Sequence, residues 1–315
     1  MTRFAATARQ QVMAELKPHD KGSGAIPRTL TLLAVFCVIA ILSVILGNII
    51  MGGIGVISWD FLTSPPENGM ESGGIFPAIL GTVFLVLLMT IAVVPVGVMT
   101  AVYLQEFTSP DSRTTRLIRL AINNLAGVPS IVFGLFGLGF FIGFIGNGID
   151  SIFYEPGRPV WGQPAIIWAA LTLSVLTLPV VIVSTEEALR VIPGELKDAS
   201  YALGATRLQT LRRVILPQAM PGILTGAILA ISRGAGEVAP IMFTGAAYYL
   251  PYLPGKLNDQ FMELGYHIYV MATQSPDIDK TRPILYGTVL VLLLLTFLLN
   301  FTAISIRSRL RTRKG

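Results

Sequence analysis

Arg233 and Glu237 are charged residues placed where charge is expensive. Both occur in the run SRGAGEVAP, inside a long apolar stretch with no other charged residue. An unpaired charge at the bilayer centre costs at least ~2.5–3.5 kcal/mol on the insertion scale, so such side chains face protein or a water-filled route. A spacing of four puts them on one helix face, within reach of each other. Two chemistries fit. One is a structural ion pair between helices, although desolvation can exceed the Coulomb gain of a buried pair. The other is anion handling: Arg offers a planar fork to an oxyanion, and Glu neutralises it when no anion is present. Ser232, Gly234, Ala235 and Gly236 leave room beside the pair.

A second constellation is DASYALGATRLQTLRRVILP, residues 198–217, in a polar connection between two apolar stretches. Leu196, Ala199 and Leu203 fall at helical spacing, as do Leu208, Leu211 and Ile215. Gly204 can take the left-handed conformation that ends a helix. Thr206 and Gln209 have capping-box spacing for a new start. The stretch therefore reads as a helix, a glycine break, a second helix and a stop at Pro217. Such a compact hairpin suits docking of another protein.

Signatures of bond-making chemistry are missing. There is no GxxxxGK[ST] phosphate loop, since Gly255-Lys256 lacks the rest, so the chain is not a typical P-loop ATPase. There is no HExxH and no GxSxG elbow. His19 and His267 are too far apart for a local metal site, and His267 is expected at an exposed polar position. Asp277 and Asp279 lack the other ligands of a calcium loop and read as a solvated turn.

The elements that carry these residues are membrane helices. Of 315 residues, 53% are hydrophobic and 13% charged. The apolar residues are blocked into six uncharged or nearly uncharged runs, each reaching the ~20 residues needed to span a bilayer. They lie near 29–50, 77–104, 120–146, 164–185, 221–248 and 284–306. Residues 1–28 form a polar tail, and 307–315 a basic one. The first run is expected to be a retained span, because it exceeds a signal-peptide core and follows a long polar segment. Cys37, the only cysteine, excludes an intrachain disulfide and is expected to be a small packing residue.

The net charge is +5, but its distribution argues for membrane topology rather than nucleic acid. Counted over alternate connections and tails, 18 Lys and Arg fall on one side and 4 on the other, with Arg233 inside a span. The positive-inside rule then puts both termini and the 186–217 connection in the cytoplasm. The basic tail also suits anionic headgroups of the lipid bilayer.

Along the chain, Trp59 and Phe61 in the first outer loop are expected as interface anchors. Gly139 and Gly143 form a GxxxG pair, expected to pack closely. In the last outer loop, Leu257, Phe261, Leu264, Ile268 and Met271 recur at intervals of four and three, which predicts an amphipathic helix over about 257–272.

Three motifs resemble a known family. Asp198-Ala199-Ser200, Gly204, Val214 and Leu216-Pro217 resemble the cytoplasmic EAA loop of ABC importer permeases, with Asp in place of Glu. NNLAGVPSIVFGLFGLG, from Asn123 to Gly139, is similar to the third-span signature of phosphate permeases. ISRGAGEVAPIMFTGAA resembles the fifth-span segment of PstA-type permeases, and Ala239-Pro240 favours PstA over its sister PstC. The resemblance covers the chain from about Ile79 onward; the N-terminal portion is least diagnostic.

This likeness implies an all-α polytopic fold with six spans, N-in and C-in, of the type I, MetI-like kind. It implies the permease subunit of an ATP-driven inorganic phosphate importer in the cytoplasmic membrane. The partners would be a PstC-like chain, two cytoplasmic ATPase subunits and an external phosphate-binding protein. It carries Arg233 and Glu237 over as translocation residues, and Asp198, Ala199, Gly204, Leu216 and Pro217 as the ATPase-coupling loop. No cofactor or metal would sit on this chain; ATP and Mg2+ would be used by the partner ATPase. Import of sulfate, molybdate or tungstate, and a phosphate-sensing scaffold without transport, stay open as alternatives.

Overall fold

A computed structural model describes residues 25–109, 111–155 and 157–312. Most of the 1–28 tail, including His19, and the end of the basic tail lie outside the described residues. Six helices are long and apolar enough to cross a membrane: Ile26–Val56, Phe76–Phe107, Ser130–Phe153, Ile166–Arg190, Arg207–Gly234 and Ile278–Arg309. The chain divides into two units, Met1–Met51 and Gly52–Gly315. The first contains an apolar helix whose side chains, Leu30, Leu33 and Phe36 among them, are exposed. Cys37 is exposed in this helix too.

In the second unit the fourth span is the axis. Its face from Ile166 to Leu189 is buried against the second and fifth spans. The core has three levels. At one end Phe61, Ile75, Met262 and Leu264 form a cluster. In the middle Leu85, Met89, Leu173 and Ala235 pack together. At the other end Leu104, Ile182, Leu189, Leu211 and Ile215 do so. Phe61 is therefore core, 3% exposed, while Trp59 is 80% exposed. A loop residue at the end of a bundle is drawn inward when the spans leave an apolar gap to fill.

Four elements differ in their boundaries from the sequence expectation. Residues 113–126 form a separate amphipathic helix, Arg113–Ala126, before a turn at Gly127–Pro129; the third span starts only at Ser130. Proline lacks the N–H to continue a helix, and it restricts the residue before it. The fifth span runs Arg207–Gly234, not 221–248, because the helix breaks at Ala235–Gly236 while the sequence stays apolar. The predicted outer helix begins at Leu264 and ends at Gln274. Residues before it are held by backbone bonds instead, such as Ala247 N–H to Phe261 O at 2.8 Å. The sixth helix continues through Ile278–Thr312, into the expected tail.

The outer helix also corrects the reading of His267, which is 2% exposed and whose buried Nδ1 has no partner among the described residues. Four residues earlier, Glu263 is 1% exposed. Its carboxylate caps the helix, accepting from Tyr266 N–H at 2.7 Å. Thr82 of the second span accepts from Leu264 N–H at 3.0 Å and lies 3.5 Å from Glu263 Oε1. No cation neutralises this carboxylate among the described residues. Both groups lie outside the six spans. Burial pushes Glu263 up to about 7 against the hydrogen bonds that lower it, and burial pushes His267 down to about 4.

The two shifts act oppositely on stability. The folded state holds the Glu263 proton more tightly than the unfolded one, so this contribution is lost as pH rises from about 4.5 to 7. The folded state resists charging His267, so that contribution is lost as pH falls from about 6.5 to 4. Each is worth about 3 kcal/mol by the pKa arithmetic, and they nearly cancel. Chemical unfolding in detergent should therefore vary little from pH 4.5 to 7 in the native chain. Glu263→Gln should become less stable towards acid, and His267→Gln less stable towards neutral pH. The same flat profile in all three would remove this account.

Candidate functional site

The fifth span stops beside the pair of intramembrane charges. The last helical residue is Gly234. Ala235 N–H reaches Ile231 O at 3.0 Å, and Gly236 N–H reaches Arg233 O at 3.3 Å, closing a final tight turn. Arg233 Nε and Glu237 Oε1 are 3.3 Å apart, with the side chains 38% and 19% exposed. The pair therefore forms across a helix end, not along a helix face. No partner is found among the described residues for the two terminal nitrogens of Arg233. A Cβ built on Gly236 meets nothing within 4 Å, so space is open beside the pair.

The depth follows from packing. Ala235 belongs to the middle cluster with Met89 and Leu173, both well inside their spans. Irregular backbone at that depth is tolerated only where protein or a cavity satisfies it. Here the chain after Glu237 makes a short helix, Ile241–Thr244, and then meets the start of the fourth span. Ala165 N–H reaches Thr244 O, and Ile166 N–H reaches Asp259 O, both at 2.9 Å.

The third span closes over this segment. A Cβ on Gly134 would lie 2.9 Å from Phe243 and 3.0 Å from Ala239 O. One on Gly137 would strike Thr172 and Thr244. Two motifs remote in sequence thus meet, and glycine lets their backbones approach. The GxxxG pair does not do this: Gly139 has nothing within 4 Å, and Gly143 touches only Leu138 O. On the other side, Ser232 Oγ donates to Asn300 Oδ1 of the sixth span at 2.5 Å, a contact that spacing alone does not reveal.

The hairpin lies at the opposite end of the fifth span. Pro217 and Arg233 are separated by 16 helical steps, about 24 Å at 1.5 Å per residue. The first hairpin helix is Gly194–Ala202. Gly204 follows with φ 82°, the left-handed break. Thr206 Oγ1 accepts from Gln209 N–H, and Gln209 Oε1 accepts from Thr206 N–H, completing the capping box. The second helix does not stop at Pro217. Residues Leu211–Ile215 widen to i→i+5 winding, and Leu216–Gly234 continues with Pro217 in its first turn. The change of winding just before Pro217 is where the regular ladder of backbone bonds is already altered.

Asp198, Ala199 and Gly204 are exposed, whereas Leu216 and Pro217 are half-buried. Leu196, Leu203 and Leu208 are also exposed, Leu203 at 89%, so the hairpin shows an uncovered apolar ridge. Leu211 and Ile215 point into the core. Two ion pairs underlie the hairpin. Lys197 Nζ lies 2.6 Å from Glu106 Oε1. Arg119 Nη2 lies 3.1 Å from Glu186 Oε1 and 3.4 Å from Leu104 O. Their partners are 91 and 67 residues apart, so no local pattern announces them.

Residues 93–314 match the family described as binding-protein-dependent transport system inner membrane component. The chain belongs to this family. It is 37% identical over 205 residues to a probable ABC transporter permease protein, YqgI, of Bacillus subtilis, covering 65% of this chain and 64% of that one. It thus spans just under two thirds of that protein. It is 31% identical over 259 residues to phosphate transport system permease protein PstA of Haemophilus influenzae, covering 82% of this chain and 84% of that one. In solved structures, a bacterial alginate ABC transporter matches with TM-score 0.65 at 15% identity, over 90% of this chain and 94% of that one. That likeness shows a shared fold, that of ABC importer permeases. The chain is a multi-pass membrane subunit.

The packing of the third span against the family's fifth-span segment yields a contrast. Gly134→Ala should lower thermal stability in detergent by about 1–3 kcal/mol, the usual cost of overpacking. Gly139→Ala, facing open space, should leave stability unchanged or slightly raised. Equal effects of the two would contradict the close approach of Ala239 to the third span.

Proposed function

We propose that this chain is the permease subunit of an ATP-driven importer of inorganic phosphate. The observation that carries the reading is the Arg233–Glu237 pair, placed at a helix break with open space at Gly236. Arg233 offers two further nitrogens to an oxyanion, in the planar arrangement that suits phosphate. Glu237 holds the guanidinium when the route is empty, and phosphate competes with it for the same fork. The similarity to PstA-type permeases supports phosphate as the anion.

The hairpin 194–217 docks a cytoplasmic ATPase through its exposed ridge of Leu196, Ala199, Leu203 and Leu208, with Asp198 beside it. Gly204 is the hinge, and Leu216 and Pro217 carry its motion into the fifth span. The partners are a PstC-like permease chain, an ATPase dimer and an external phosphate-binding protein. ATP and Mg2+ belong to the ATPase, and this chain itself makes and breaks no bond. The 18-to-4 asymmetry of basic residues supports cytoplasmic termini and a cytoplasmic hairpin.

Three measurements test this. In vesicles holding the complete complex, labelled phosphate should be taken up while sulfate and molybdate are not; uptake of either in preference would replace the substrate. Arg233→Ala should abolish uptake with complex yield and basal ATP hydrolysis retained, and Arg233→Lys should be partly active because the fork is lost. If the pair is only scaffold, Arg233→Met with Glu237→Leu restores both assembly and uptake, and the translocation role falls.

Topology and the hinge are checked separately. In a Cys37→Ser background, a cysteine at position 67 should label from outside and one at 207 only from inside; external labelling at 207 overturns ATPase docking. Gly204→Val has space for its side chain but not the backbone conformation. It should assemble yet lose substrate-driven ATP hydrolysis, and normal stimulation would remove the hinge role.

A further inference from the structure

The first hairpin helix, Gly194–Ala202, has no buried side chain. No fully buried apolar side chain of this helix anchors it to the spans. It is covalently joined to the fourth span through residues 191–193 and to the fifth through Gly204, but it has no covalent junction with the second. Lys197 supplies a noncovalent one. Its Nζ lies 2.6 Å from Glu106 Oε1, with side chains 22% and 12% exposed. A half-sheltered pair is screened less by salt than one on an open surface.

Glu106 sits in the last turn of the second span, Tyr103–Phe107, which is wound i→i+5. Such wide turns inside α-helices are frequent at functional positions. This one is already fastened. Leu104 O accepts from Thr108 Oγ1 at 2.8 Å and from Arg119 Nη2 at 3.4 Å, and Arg119 in turn pairs with Glu186 of the fourth span. Leu104 also packs with Leu211 and Ile215, from the wide turn that leads into the fifth span. Displacing Glu106 therefore displaces the end of the second span as a piece.

We propose that the Lys197–Glu106 pair is the tie that makes the second span follow the hairpin, so that both move as one body when the partner ATPase closes. Lys197 is a positioning residue; it touches no substrate. The proposal rests on the coupling reading of the hairpin, and not on which anion is carried. Reversing one charge replaces the attraction of the native pair with repulsion between like charges and pushes the two elements asunder. Reversing both restores the attraction with the ends exchanged.

The test uses the assembled complex in vesicles, in a Cys37→Ser background with spin labels at Tyr103→Cys and Tyr201→Cys, both exposed positions. The label distance is measured without nucleotide and with the ATPase trapped closed, and phosphate moved per ATP is measured alongside. Without further change, the distance should be the same in both states. Lys197→Glu and Glu106→Lys should each change it between states and lower phosphate per ATP at least tenfold, with basal ATP hydrolysis kept. Lys197→Arg, and Lys197→Glu with Glu106→Lys together, should return the constant distance and at least half of the transport. A constant distance in the single reversals overturns the tie, as does a double reversal that stays separated. The distance is independent of the anion. Absence of phosphate uptake by the unaltered complex therefore strikes the substrate reading alone.

Discussion

A chain that leaves the helix inside a bilayer must find its hydrogen bonds in protein, because hydrocarbon offers none. The break after Gly234 sets that demand, and much of the second unit answers it. The fifth-span backbone closes on itself at Ile231 and Arg233, and the strand-like stretch beyond borrows partners from the start of the fourth span at Ala165 and Ile166. The third span must then come close enough to exclude lipid, which only a residue without Cβ permits at Gly134. The outer helix Leu264–Gln274 completes the cover, with its Glu263 cap locked against Thr82 of the second span.

The opposite end obeys a different constraint. There the chain is at the polar boundary, so charged side chains can do what backbone bonds do at mid-depth. Glu106, Glu186, Arg119 and Lys197 are each partly sheltered. The wide turns at Tyr103–Phe107 and Leu211–Ile215 bring Leu104, Leu211 and Ile215 into one cluster. Widened turns loosen the regular ladder of backbone bonds locally. They also let Pro217 sit inside a long helix without ending it.

Local features of this architecture are legible in the sequence, and remote ones are not. The capping box of Thr206 and Gln209 and the left-handed Gly204 depend on neighbours within a few residues, and the structure has both. Six apolar runs are visible because bilayer thickness imposes a length. The end of the fifth span is hidden, since the sequence beyond Gly234 stays largely apolar while the helix ends there. Pro217 reads as a stop because a wide turn upstream leaves no compositional mark. His267 reads as exposed and Phe61 as an interface anchor because loop membership says nothing about the gap that a bundle end leaves. The Arg233–Glu237 contact itself is readable from a spacing of four, although that spacing implies a helix face and the contact spans a helix end.

That last difference bears on the proposed chemistry. A helix C-terminus carries partial negative charge from its unmatched carbonyls. It therefore favours Arg233 as a cation and disfavours an anion beside it. Glu237 adds a full negative charge at 3.3 Å. An oxyanion arriving at Arg233 thus meets one strong attraction and two repulsions, and binding is weaker than an isolated guanidinium would give. For a storage site this would be a defect. For a route it is an advantage, since an ion must leave as readily as it enters. On the proposed reading, tight capture belongs to the external binding protein, and the broken helix supplies a brief, specific contact in transit.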